Sequence, residues 1–429
     1  MSKEGKKIYD FCSSLFGINR SITGDGVRQT LGLIQKQIQS NLDITEIESN
    51  TKCFDWQIPL EWNVKDAFIE DLNGNKIIDF KKNNIHLMGY SIPVDKKISL
   101  TELKNHLYSI SEMPNAIPYI TSYYQKNWGF CVSENQRKKI NKDFYHVKID
   151  SSLKKGSLTY GEVLISGKSK KEIVFSTYIC HPSLANDNSS GPSLATFLIK
   201  YLEKIKKPKY SYRFIFIPET IGSIAYLHKN LESMKKRTKA GFILTCVGDD
   251  LCYSFLESKS KNSIADKVAR HVLDKMNINY KLYSFLERGS DERQYSSPGI
   301  NLPFCSVMRS KYAEFDEYHT SLDNLDFISP SGFQGSFDLH TKIIDVFEKN
   351  NIYRNLVLCE PQLGKRGLYP QISTKKTLNQ VKNLKNLIAY TDGNNSLLQI
   401  ADIMDVPIWE LYSLTERLVK AKLIEKLDE

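Results

Sequence analysis

Apolar residues recur at i, i+3 and i+4 through residues 7–41. Ile8, Phe11, Cys12, Leu15 and Phe16 form one stripe, and Val27, Leu31, Ile34 and Ile38 form a second. That period predicts two amphipathic helices. The segment Ser21-Ile-Thr-Gly-Asp-Gly26 between them carries turn and helix-start signals. From residue 50 to residue 155 the texture changes to aromatics, prolines and short alternating runs. Asp71-Leu-Asn-Gly-Asn75 is a hairpin signal, and the region reads as a small β-rich domain. Its aromatics, with Trp56 and Trp128 foremost, suit either a β core or a sugar-stacking surface, and the core reading ranks higher.

From residue 156 to 355 the pattern alternates. Continuous apolar runs at 173–180, 212–217, 240–247 and 302–308 predict buried strands. Segments 192–199, 263–276 and 337–347 predict helices, which gives an α/β sheet flanked by helices. His228 and His340, both on expected helices, read as surface and packing residues. The last 70 or so residues read as a separate module. Helices are expected at 378–390, 396–404 and 408–421, turns at 392–395 and 405–407, and a closing strand at 423–427. This is the order of a winged helix-turn-helix.

Composition narrows the class. A chain of 429 residues, 41% hydrophobic and 25% charged, fits a globular protein of two or three domains. No apolar run approaches the ~20 residues that cross a bilayer, and no signal-peptide pattern opens the chain. Eight cysteines without CxxC pairs, with Cys180, Cys246 and Cys305 inside apolar runs, point to buried thiols and a cytoplasmic setting. The net charge of +10 comes mostly from dispersed lysines and fits solvated faces or an anionic substrate. The winged-helix segment runs the other way. From Thr391 to Glu429 four basic residues stand against eight acidic ones, a net of −4. Phosphate affinity needs basic contacts, so nucleic acid is disfavoured as a partner. Domain packing or dimerisation suits the module better, and a homo-oligomer is among the expected states.

Candidate chemistry gathers at strand-to-loop transitions. The strand at 173–180 runs into His181, and Asp187 follows in a small polar turn closed by Gly191. Pro218-Glu219-Thr220 follows the strand at 212–217. Asp291 lies in Arg288-Gly-Ser-Asp-Glu-Arg293, and His319 in Glu317-Tyr-His-Thr-Ser-Leu-Asp323. In open α/β sheets ligands bind at the carboxyl edge of the strands. Imidazoles and carboxylates without cysteine suit a catalytic zinc that keeps a position for water.

The order His, Asp, Glu, Ser-Asp, Tyr-His-Thr resembles that of the zinc aminopeptidases, whose clan includes bacterial leucyl aminopeptidase and glutaminyl cyclase. Longer segments are similar to a bacterial family described as having an aminopeptidase-like domain and associated with surface-polysaccharide biosynthesis. They are Arg20-Ser-Ile-Thr-Gly-Asp25, Ile117-Pro-Tyr-Ile-Thr-Ser-Tyr123, Trp128-Gly-Phe-Cys131, Gly156-Ser-Leu-Thr-Tyr160 and Thr177-Tyr-Ile-Cys-His-Pro182. The resemblance implies an α/β fold with an aminopeptidase-like mixed sheet flanked by helices. Residues 1–49 would be its N-terminal part, 50–155 an inserted β-rich domain, 156–355 the metal domain and 356–429 a winged-helix module.

Carried over residue by residue, the resemblance makes His181, Asp187, Asp291 and His319 metal ligands, with Asp187 the bridge in two-zinc enzymes. Those enzymes carry two adjacent glutamates, a base and a ligand, whereas this chain has only Glu219. Aligned on the following glycine, Glu219 is the base and Thr220 replaces the ligand. Shifted by one residue, Glu219 is the ligand and no base remains. The first alignment is preferred, and one zinc is favoured over two. Tyr312 or Tyr318 would donate to the oxyanion, and Arg20 and its turn would reach the substrate. Glu292, Glu314, Asp316 and Glu317 are candidates for holding a free amine. The expected function is zinc-dependent hydrolysis of an amide in a small peptide, aminoacyl or acylamino-sugar substrate, with no membrane partner. The alternatives are a metal-binding scaffold and a DNA-binding regulator.

Overall fold

The computed structural model describes residues 3–369 and 375–427, so Asp428 and Glu429 of the acidic count lie outside the described residues. Contacts divide the chain into two compact units, Met1–Asp266 with Tyr280–Asp338, and Lys267–Asn279 with Leu339–Glu429.

The first unit is built on an eight-stranded mixed sheet. Across it the strands run Asp43–Glu48, Ser157–Ile165, Ser211–Ile217, Glu172–Tyr178, Thr238–Ile243, Phe304–Met308, Tyr253–Leu256, Tyr280–Tyr283. The four central strands, from Ser211–Ile217 to Phe304–Met308, are mutually parallel. Their carboxyl ends therefore open on the same edge. Glu172–Tyr178 is buried along its whole length, as a strand covered on both faces must be. Its register sets Phe175 opposite Phe214 on one side and Phe242 on the other, and the three rings stack at 5.1 and 5.4 Å.

The strand expected at 240–247 begins two residues earlier and ends at Ile243. Beyond it Leu244 N–H still donates to Ser176 O, but Cys246 turns to φ 51°. The apolar run continued because the following loop is also buried. Helices Lys3–Phe16 and Asp25–Gln37 form where the two stripes lie. The turn between them needs Gly24, which sits at φ 100° where a Cβ would stand 2.3 Å from Trp62 O. Helix Ser190–Leu202 starts two residues before the expected position. Gly191 permits this, since a Cβ there would meet Leu244 O at 2.3 Å.

Between residues 50 and 155 a four-stranded antiparallel sheet runs Lys76–Asp79, Glu61–Asp71, Phe144–Lys154, Val94–Ser99. The expected hairpin is present, with Gly74 at φ 83°. Trp128 is buried in the core and stacks on His106, whereas Trp56 is 41% exposed. The core reading therefore holds for Trp128 only. His228 is exposed and His340 buried, as their positions suggested.

In the second unit Ile352–Asn355 is the middle strand of three, flanked by Asp392–Ser396 and Ile424–Lys426. The expected turn at 392–395 is instead an irregular strand. Asp392 still accepts the N–H of Asn394 in a local turn, while Arg354 pairs with it across the ladder. Helices Lys375–Tyr390, Leu397–Ile403 and Ile408–Lys420 complete the winged-helix order. The start of Ile408–Lys420 is fastened inside the unit. Ile408 N–H donates to His271 Nε2 at 3.0 Å, His271 Nδ1 meets Asp402 at 2.6 Å, and Lys342 lies over the Trp409 ring. A DNA-reading helix presents this end to the groove. Its charged exposed residues are Glu410, Glu416, Arg417 and Lys420, two of each sign.

Truncating the central aromatic row tests the sheet. Phe175→Ala should lower the unfolding free energy by about 3–5 kcal/mol, read from urea denaturation. A loss well under 1 kcal/mol would mean that the row is not the packed centre of the sheet.

Candidate active site

His181 follows Glu172–Tyr178 after two buried residues, and Glu219 follows Ser211–Ile217 after one proline. Neighbouring parallel strands thus deliver both side chains to one edge. His319 arrives on the loop after Phe304–Met308. Among the described residues, donor atoms of His181, Asp187 and His319 lie within 4.8 Å of one another. Asp187 Oδ2 is 3.1 Å from His319 Nε2 and 3.7 Å from His181 Nδ1. Yet Asp187 Oδ2 and His319 Nε2 are both buried and make no hydrogen bond with the protein. An unmet buried polar atom costs about 1–3 kcal/mol, more when charged. A cation shared by the two atoms would remove that cost, so the donor set fits a metal. His181 Nδ1 is 3.1 Å from Asp187 O, a contact that in the neutral imidazole would hold the proton on Nδ1 and leave Nε2 free to bind a metal.

The electrostatics point the same way. Burial raises the Asp187 carboxyl, but His181, His319 and the Tyr178 hydroxyl outweigh it and hold the group below its ordinary value. Burial lowers His181, while Asp187 and Glu219 reverse the effect and bring the imidazole to about 9.

Glu219 Oε2 lies 3.5 Å from His181 Nε2. The glutamate is aimed by a γ-turn of the rare, strained kind, in which Ile221 N–H donates to Glu219 O across Thr220 at φ 62°, ψ −76°. Asp291 stands outside the three-residue group. Its Oδ1 accepts from Thr220 N–H and Ser223 Oγ–H, both at 2.8 Å, and so holds the start of helix Ile221–Arg237. Burial together with the charge of Glu219 pushes its carboxyl up to about 7.

The remaining sequence candidates do not line the cavity. Arg20 is buried and donates to His181 O, Leu15 O and Ser189 Oγ, so it fixes the backbone beneath the site and does not line the cavity. The Tyr312 hydroxyl donates to Glu292 Oε1 at 2.6 Å, away from the cavity. Tyr318 stacks on His319 at 3.9 Å.

Two supports carried too little sequence signal to be singled out. The buried Asp323 carboxylate accepts the N–H groups of Asn186 and Asp187 at 2.6 and 2.9 Å and ties the loop of Asp187 to the loop of His319. Burial raises its carboxyl to about 7, against the opposing pull of those N–H groups. Asp323 closes the segment that contains His319, but an acidic residue there has no periodic signature. Tyr119 packs edge-on to His181 and His319, 5.2 Å from each, and its N–H donates to His319 O at 2.8 Å. It brings the residue 117–123 segment over the His181 and His319 side of a cavity of about 380 Å³.

Residues 9–350 match the family described as a domain of unknown function, DUF4910, and residues 351–426 match a winged helix-turn-helix family. The chain belongs to the DUF4910 family. A Clostridium acetobutylicum relative, named a polysaccharide biosynthesis protein with aminopeptidase-like domain, is 48% identical over 93% of this chain and 92% of its own. A crystal structure of a peptidase-described protein from Clostridium acetobutylicum superposes with TM-score 0.93 and 45% identity, covering 99% of this chain and 96% of that one. A zinc aminopeptidase from Bacillus subtilis shares the fold at TM-score 0.58 and 15% identity, over 80% of this chain and 94% of its own. The DUF4910 chain therefore has the aminopeptidase-like mixed sheet and winged helix that its motifs implied.

Asp323→Asn turns an amide N–H₂ toward two backbone N–H groups. It should lower stability by about 1–3 kcal/mol in urea unfolding, and an unchanged midpoint would remove Asp323 as the tie between the loops.

Proposed function

We propose that this DUF4910 protein is a zinc-dependent amide-bond hydrolase that acts on an aminoacyl or acylamino sugar during surface-polysaccharide synthesis. The observation that carries the reading is that Asp187 Oδ2 and His319 Nε2 face each other at 3.1 Å, both buried and neither hydrogen-bonded, with His181 alongside. His181, Asp187 and His319 would hold the ion, and one ion suits three ligands better than two ions do. Bound zinc brings the pKa of a coordinated water to about 7 and polarises a carbonyl. The relative's name and the shared aminopeptidase fold support both the chemistry and the polysaccharide setting. Cysteines that are largely buried and unpaired suit a cytoplasmic enzyme.

Glu219, at the cavity and beside His181, is the general base. It takes the proton of the attacking water as the water oxygen bonds to the carbonyl carbon. It returns that proton to the nitrogen as the C–N bond breaks. Tyr119, which lines the cavity and packs against both imidazoles, is better placed to donate to the developing oxyanion than Tyr312, whose hydroxyl is committed to Glu292. Arg20, Asp323 and Tyr178 position the ligands and do not touch the substrate.

Glu219→Gln should keep its zinc and lose about 100- to 10,000-fold in hydrolysis of aminoacyl or acylamino-sugar amides. Full activity in that variant would end the general-base assignment. His181→Ala should lose zinc by elemental analysis, and an unchanged metal content would end its assignment as a ligand.

A further inference from the structure

The cavity at Glu219 carries one sign of charge on the base and the other on a residue the mechanism leaves idle. We infer that the site selects an anionic acylamino sugar lacking a free α-amine, with Arg293 as the specificity-determining contact. This rests on the hydrolase reading above. Selecting a free amine requires a carboxylate that faces the substrate. Of the candidates, Glu292 is fully buried, and its Oε1 already accepts from Gly289 N–H, Ser290 N–H and the Tyr312 hydroxyl. Glu314, Asp316 and Glu317 do not line the cavity. Among the described residues, Glu219 is the only acidic residue on its wall.

Arg293 lies on that wall, exposed, with one nitrogen donating to Thr220 Oγ1 at 2.5 Å. No carboxylate pairs with it among the described residues. The bond to Thr220 anchors the guanidinium next to the residue that carries the base. Its remaining donors form a fork that matches a carboxylate or a phosphate. Four aromatic residues share the wall: Trp56, Tyr119, Tyr123 and Tyr124 present flat, amphipathic faces of the kind sugar rings stack on. Trp56 is shared with an adjoining cavity of about 450 Å³ and Tyr124 with another of about 520 Å³. Two further cavities thus border the site, one at Trp56 and one at Tyr124.

The test compares four substrates: an N-acetylamino uronic acid, an N-acetylamino sugar 1-phosphate, neutral N-acetylglucosamine and leucine p-nitroanilide. Amine release is followed for the zinc-loaded wild type, Arg293→Gln and Arg293→Lys. The wild type should prefer one anionic sugar over the neutral one by at least about tenfold in kcat/KM. Whether the uronate or the phosphate is taken tells the two anion sources apart. Arg293→Gln should shrink that preference to within about twofold, and Arg293→Lys should restore part of it. Preference for the neutral sugar or the free-amine substrate, or an undiminished preference in Arg293→Gln, overturns the inference. Binding of the same ligands is read in parallel by isothermal titration calorimetry in Glu219→Gln. Tight anionic binding lost in Arg293→Gln, without turnover in the wild type, would sink the hydrolase reading and keep this one. Equal binding of anionic and neutral sugars would sink this one alone.

Discussion

A buried carboxylate oxygen and a buried imidazole nitrogen face each other across 3.1 Å in Asp187 and His319, with no protein group between them to satisfy either. Left so, each atom forfeits the hydrogen bonds it had in water. The fold holds them there all the same. Asp323 grips the peptide N–H groups of Asn186 and Asp187, Tyr178 donates to the other Asp187 oxygen, and Arg20 fastens the carbonyl of His181. Such support makes sense if the missing partner is a cation. It fixes ligands in advance, so little order remains to be imposed on binding.

Backbone strain gathers at the same edge. Ser183, Thr220, Cys246 and His319 all have positive φ, a region where non-glycine residues cost roughly 1–3 kcal/mol each. Thr220 is β-branched, which makes its position the least comfortable of the four. Thr220 and Cys246 each lie three residues past the end of a buried parallel strand, and Ser183 and His319 lie on the loops that follow two others. The three stacked phenylalanines and the strained loops are thus one device, a rigid sheet that aims short, uncomfortable turns at a common point.

Much of this was legible in the sequence. Helical stripes at 7–41, four apolar runs and the ends of those runs located the sheet and three of the residues that meet. Boundaries slipped where burial outlasted the strand, as after Ile243. Arg20, Tyr312 and Tyr318 were located but not oriented. A side chain beside a site in sequence can turn into the backbone beneath it, as the Arg20 guanidinium does. Asp323 and Arg293 were the reverse case: polar residues in loops, set by tertiary contacts that no local period encodes. The winged helix was read from its element order. Its packing around His271 and Trp409 required the folded unit, because His271 comes from a helix more than a hundred residues away.

The most direct measurement is anomalous diffraction at the zinc absorption edge from crystals grown with zinc. The expected result is a single strong peak contacted by His181 Nε2, Asp187 Oδ2 and His319 Nε2. A crystal with zinc in solution but no peak among those three atoms, or with the peak on other residues, would contradict the convergence on which the whole reading stands.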